Sequence, residues 1–191
     1  EELNNHLMSI NDLSFLPEPY FLKKGIDDVV EYSAQNKALI KQLIETSNLQ
    51  LEDYDTVSSQ IKKALDHDNP WVRYWGLIVC SSFGSKAMEN KDKINVIFEN
   101  DSENLVRMRA AEFMLLNDIE LSDLKINSLL KRSNFEAEAN LMLNTLANIK
   151  TINPKYKLNL NKNVFPENWI PPIREENALV NRRMNYLTEN E

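Results

Sequence analysis

The sequence predicts an all-α fold: an α-solenoid of about three helix hairpins, with extended wrapping segments at its N- and C-terminal ends. Three observations carry that expectation. Only Gly25, Gly76 and Gly84 are glycines, too few for the tight turns of a β-sandwich or the phosphate loop of a dinucleotide-binding unit. Long stretches rich in Leu, Ala, Glu, Lys and Met favour helix over strand. Between residues 36 and 149, apolar positions recur at helical spacing in paired segments that repeat along the chain.

Taken in order, Leu3, Leu7 and Ile10 give one apolar helical face over residues 1–14. Glu1 to Leu7 read as the middle of a helix with neither initiator Met nor N-cap, as expected for a piece of a longer protein. Pro17 and Pro19 disfavour helix before them, so residues 15–35 are expected to form an extended connector. From Asn36 a stripe of Leu39, Ile40, Leu43 and Ile44 opens the helical region 36–149.

Its first hairpin has a helix near 55–66, built on Val57, Ile61, Ala64 and Leu65. A second helix has Asn69 as N-cap and Pro70 at its first position, where a missing N–H costs nothing. It places Val72, Trp75, Val79 and Phe83 on one face and stops at Gly84. The second hairpin pairs a helix containing Ile94, Val96, Ile97 and Phe98 with one running from Val106 to Phe113, across the turn Asp101-Ser102-Glu103. Val72-Arg73 and Val106-Arg107 stand 34 residues apart by their numbers. A weaker third copy has Ser122 to Lys131 as first helix. Ser133 and Glu136 form a capping box ahead of a helix from Ala137 to Ile149.

Beyond Ile149 the composition shifts, with Pro154, Pro166, Pro171 and Pro172 and no helical period. Residues 150–191 are therefore read as an extended wrapping segment anchored by Val164, Phe165, Trp169 and Ile170. A terminal helix near 174–188 carries Leu179, Met184 and Leu187.

Helix pairs with a period in the thirties mean stacking, because one hairpin cannot bury its apolar face alone. The Asp turn followed by Val-Arg resembles HEAT repeats. That resemblance implies that Asp68, Arg73, Asp101 and Arg107 form a structural ladder between neighbouring repeats, ending at the third copy, where Glu136 stands in the Arg position. A second resemblance is carried by Leu7-Met8-Ser9-Ile10-Asn11-Asp12-Leu13-Ser14-Phe15-Leu16-Pro17-Glu18, by Asn69 to Gly76, and by Val106 to Glu112. These strings resemble the exit from the catalytic domain and the following helical repeats of a subgroup of bacterial sulfatases, with Ser14 in place of the usual Gly. The resemblance implies a non-catalytic accessory domain, with a sulfatase catalytic domain as its partner in cis. The parent enzyme would use formylglycine and calcium on sulfate esters, in a periplasmic or extracellular setting.

This chain carries none of that machinery. Formylglycine needs Cys or Ser two residues before a proline. Those positions hold Phe15, Pro17, Asp68, Ile152, Val164, Trp169 and Ile170. No catalytic residue, metal ligand or cofactor is therefore expected here. Asp66-His67-Asp68 has ligand chemistry, but helix-start capping explains it. Cys80 in an apolar helix reads as a small buried hydrophobe, and His6 and His67 are too far apart in sequence to suggest a Cys–His pair. Glu136 and Glu138 read as a solvated helix face.

Trp71, Tyr74 and Trp75 are read first as packing residues and, failing that, as a candidate interface for a protein or a sulfated carbohydrate. A net charge of −7 with no basic cluster excludes a nucleic-acid face. No apolar run reaches the roughly 20 residues a bilayer span requires. Two other functions compete: a stand-alone HEAT-like protein-binding module, and an enzyme on a helical-repeat scaffold such as a DNA-repair glycosylase. The acidic balance opposes the last.

Overall fold

The computed structural model describes residues 22–26, 28–153, 158–161, 164–165 and 179–188. The expected helix at 1–14 lies outside them, as do Trp169, Ile170 and the four C-terminal prolines. The described residues are helical throughout their regular structure, with no strand among them. The order is α1 (Val29–Gln35), α2 (Lys37–Asn48), a 3-10 turn (Leu49–Leu51), α3 (Tyr54–Leu65), α4 (Pro70–Phe83), a 3-10 segment (Gly84–Asn90), α5 (Lys91–Asn100), α6 (Asn104–Leu116), α7 (Asp123–Lys131), α8 (Glu136–Ile152) and α9 (Leu179–Thr188). No helix among the described residues is long and apolar enough to cross a membrane. The chain divides into two compact units, Glu1–Ile94 and Asn95–Glu191.

In the first unit, α4 packs against both α2 and α3. Its start follows the sequence closely. The Asn69 side chain accepts from Trp71 N at 2.9 Å, and Pro70 fills the first helical position. It ends at Gly84, whose φ of 55° favours a residue without Cβ. Gly76 serves packing instead: a Cβ there would lie 3.1 Å from the Ala64 Cβ, so its absence lets α3 and α4 approach. Ile40, Leu43, Val57, Ile61, Leu65, Val72, Leu77 and Val79 form the core. Trp75 and Phe83, expected on the buried face of α4, are only half-buried.

Two local expectations are corrected. Residues 29–35 are helix, where an extended connector was expected. The Asp28 carboxylate accepts from Glu31 N at 3.0 Å and caps α1, a local start signal that sets the helix. At α8, the N-cap is Phe135, not Ser133. Ser133 Oγ instead donates to Leu130 O at 2.7 Å. Glu138, third residue of the helix, reaches back to accept from Asn134 N at 2.7 Å. The spacing that suggested a Ser–Glu box is thus shifted by two residues.

In the second unit, α8 packs on α6 and α9 on α8. From Asn104 to Leu115, every residue of α6 but Arg109 is buried, including Asn104, Arg107 and Glu112. Val180, Met184 and Leu187 bury the inner face of α9, while Arg183 Nε donates to Asn140 Oδ1 at 2.7 Å. Leu158, Leu160 and Phe165 are buried in the non-helical tail, where Val164 is half-buried.

Candidate functional site

The polar side chains of the two hairpin turns are used on backbone. A helix leaves its last carbonyls without intrahelical partners, and the start of the next helix supplies donors. The Arg73 guanidinium donates to His67 O at 2.6 Å and to Asp68 O at 2.8 Å. Arg107 Nε donates to Phe98 O at 2.6 Å, and its guanidinium stands 5.7 Å from the Phe98 ring centroid. Asn104 Nδ2 donates to Arg132 O at 3.0 Å, past the end of α7.

Register makes the repeat sharper than the sequence did. Arg73 and Arg107 both occupy the fourth position of their helices. Two residues before each N-cap, a side chain accepts the N-cap amide: His67 Nδ1 from Asn69 N and Asp101 Oδ1 from Glu103 N, both at 2.9 Å. The counterpart of Asp101 is therefore His67, not Asp68, which is exposed. In α8 the fourth position is Ala139, not Glu136; Ala139 is fully buried and has no cation to offer.

Arg107 is buried, and desolvation pulls its pKa below the usual guanidinium value, with nearby Arg132 adding to the fall. Glu99 and Asp101 act the other way and favour the charge. The Arg107–Asp101 relation thus lies within a single turn. Glu138, expected on a solvated face, is buried: its Oε2 accepts from the Asn134 backbone and side chain and from Asn104 Nδ2 at 3.4 Å. Glu136 is exposed.

Around the first unit's 3-10 segment, Tyr54 Oη donates to Glu89 at 2.7 Å, Lys62 Nζ donates to the other oxygen at 2.8 Å, and Asn90 Nδ2 donates to Tyr54 Oη at 3.1 Å. Burial, then the bond to Glu89, keeps the phenol protonated far above its usual range. The Lys62 and Tyr54 bonds hold the Glu89 carboxyl below its ordinary value. Sequence spacing gave no sign of this cluster, whose members come from α3 and from the segment after α4.

Cys80 is buried, and burial pushes its thiol up to about 12. A thiol so far from ionisation is a poor nucleophile. Asp66 pairs with Lys93, His67 accepts a backbone N–H within the turn, and Asp68 is exposed. Among the described residues no group of three ligand-type side chains is placed to hold a metal.

Trp71, Tyr74 and Trp75 meet edge to face, with centroids 6.1 and 6.3 Å apart; Tyr74 is buried and both indoles are half-buried. An open depression of about 290 Å³ between α2, α3 and the start of α4 is lined by Gln42, Glu45, Lys63 and His67 beside Leu49 and Val72. No protein-family model matches the chain, and no curated protein or solved structure matches it.

Proposed function

We propose that residues 36–149 form a HEAT-like α-solenoid that serves as a non-catalytic accessory domain of a sulfatase-family protein. One observation supports the repeat reading above the rest. An Arg at the fourth position of α4 and of α6 donates to carbonyls at or beyond the end of the preceding helix, and a side-chain cap two residues before each N-cap recurs in the same register. Packing of α4 on α2 and of α8 on α6 fits successive second helices lying side by side. The sulfatase part rests on the resemblance of residues 7–18, 69–76 and 106–112 alone. The catalytic domain would be a partner in cis, in a periplasmic or extracellular setting, and would bring its own formylglycine and calcium.

The test is to read the coding sequence ahead of Glu1 and to assay the full product on a chromogenic sulfate ester. A Cys/Ser-x-Pro-x-Arg motif with hydrolysis is expected, and an unrelated upstream domain would end the proposal. The half-buried Trp71 and Trp75 favour the second reading, a stand-alone HEAT-like module that binds a protein. A gene product without a catalytic domain would select it. A sulfated carbohydrate remains the alternative ligand for the same aromatic face.

A further inference from the structure

In the first unit, α2 and α3 both pack against α4, and a cleft of about 290 Å³ lies between them, with Val72 of α4 in its lining. Its floor is apolar, because Leu49, Ala64 and Val72 are buried. Thr46 joins them there with its hydroxyl already satisfied, Oγ1 donating to Gln42 O at 2.8 Å. The charged lining differs from one side to the other. On the α2 side stands Glu45, whose carboxylate lies 3.6 Å from Lys41 Nζ. On the α3 side stand Lys63 and, just past the helix end, His67. The neighbouring Lys62 is held by Glu89 at 2.8 Å, whereas Lys63 has no ion pair among the described residues. His67 Nδ1 accepts from Asn69 N at 2.9 Å, so the neutral ring carries its proton on Nε2 and has that one N–H to give.

An apolar floor with a few polar groups along one side is the make-up of a small-molecule site. An ammonium without a counter-ion and a ring N–H on the same wall suit the two oxygens of one carboxylate. Glu45 across the cleft repels a second negative charge and so disfavours phosphate and other dianions. We propose that the cleft between α2 and α3 binds a small monocarboxylate with an apolar body. Its carboxylate lies toward Lys63 and His67, and its body rests on Leu49, Ala64 and Val72. A volume at the lower end of ligand sites limits that body to a short aliphatic chain or a single ring. Lys63 is exposed, so its ion pair sets orientation and adds modestly to affinity, while burial of the body on the floor supplies most of it. The proposal depends on neither the repeat reading nor the sulfatase reading, and its test is separate from theirs.

The test is a titration of the isotope-labelled full chain with hexanoate and with hexanamide, followed by amide NMR. Hexanoate should give saturable shifts at cleft residues, Thr46, Ala64 and His67 among them. Hexanamide should bind there more weakly by roughly two- to fivefold, the worth of one exposed ion pair, and added salt should erode that difference. Lys63→Met should weaken hexanoate by the same factor and leave hexanamide unchanged. Lys62→Met, which removes the ammonium held by Glu89, should change neither. Shifts that do not saturate, or that map away from the cleft, overturn the proposal. So do equal binding of the acid and its amide, and hexanoate binding that Lys63→Met leaves intact. An equal loss with Lys62→Met would trace the effect to overall charge rather than to the cleft, and overturns it as well.

Discussion

Replacing Arg107 by Met tests whether the arginine at the fourth helical position is a structural staple. Met keeps much of the apolar stem and deletes the guanidinium. Phe98 O lies among the last carbonyls of α5 and receives Arg107 Nε at 2.6 Å in a buried setting. Losing a charge-assisted donor and stranding that carbonyl costs about 2–3 kcal/mol. Loss of the cation over the Phe98 ring adds roughly 0.5–1 kcal/mol, and Glu99 and Asp101 lose a favourable neighbour. Against this stands relief of the desolvation that burial imposes on the charge, which returns part of the cost. A net loss of about 2–3 kcal/mol follows, or roughly 4–12 °C in Tm for a chain of this size. Urea and thermal unfolding followed by circular dichroism at 222 nm read it directly. The half-buried Arg73 should cost less, about 1–2 kcal/mol on the same accounting. A loss below about 0.5 kcal/mol for Arg107→Met would refute the staple, because surface substitutions fall in that range.

Three further outcomes are expected. Asn69→Ala should destabilise the first unit by about 1 kcal/mol, the cost of a lost N-cap, measured by urea titration. Cys80 should resist thiol reagents in the native chain at neutral pH and react on unfolding. Its thiol, pushed up to about 12 by burial from the ordinary 9.0, makes a contribution that is fully present below pH 9 and is lost as the pH rises toward 12, by up to about 1.4 kcal/mol per unit; Cys80→Ala should flatten that alkaline decline. Glu89 should titrate below an ordinary Glu by NMR, and Lys62→Met should move it upward.

Where one residue type both starts an element and limits its neighbour, the sequence was readable. Asn69-Pro70 and Gly84 bound α4 within a residue because cap, ring and positive φ are local demands. The start of α8 was misread for an equally local reason: Ser133 and Glu136 have the right spacing, but Glu138 sits where its carboxylate can reach Asn134 N. For α6 no stripe could be drawn. A helix buried nearly all round has no polar face to define one, and its first residue, Asn104, finds its partner at Arg132 O, distant in sequence. The Tyr54–Glu89–Lys62 cluster and the bonds of the Asn127 side chain with Asn159 O and Asn161 N were invisible because their partners are distant in sequence. Each joins side chains to positions 27 or more residues away.

Several polar side chains among the described residues are spent on helix ends. Arg73, Arg107 and Asn104 answer carbonyls at the ends of first helices; His67, Asp101 and Glu138 answer amides at the starts of second ones. A buried arginine or glutamate engaged this way fixes the angle between two helices, because its bonds fail if either helix end shifts by an ångström. Such a device holds a helical surface in shape. Asn127 extends the pattern beyond the helix ends. Its amide is oriented by its own helix, and its two outward bonds go to an extended segment at the solvent boundary. Asn127 thus ties a helix to the non-helical tail by the same means that the turns use, a side chain set against backbone.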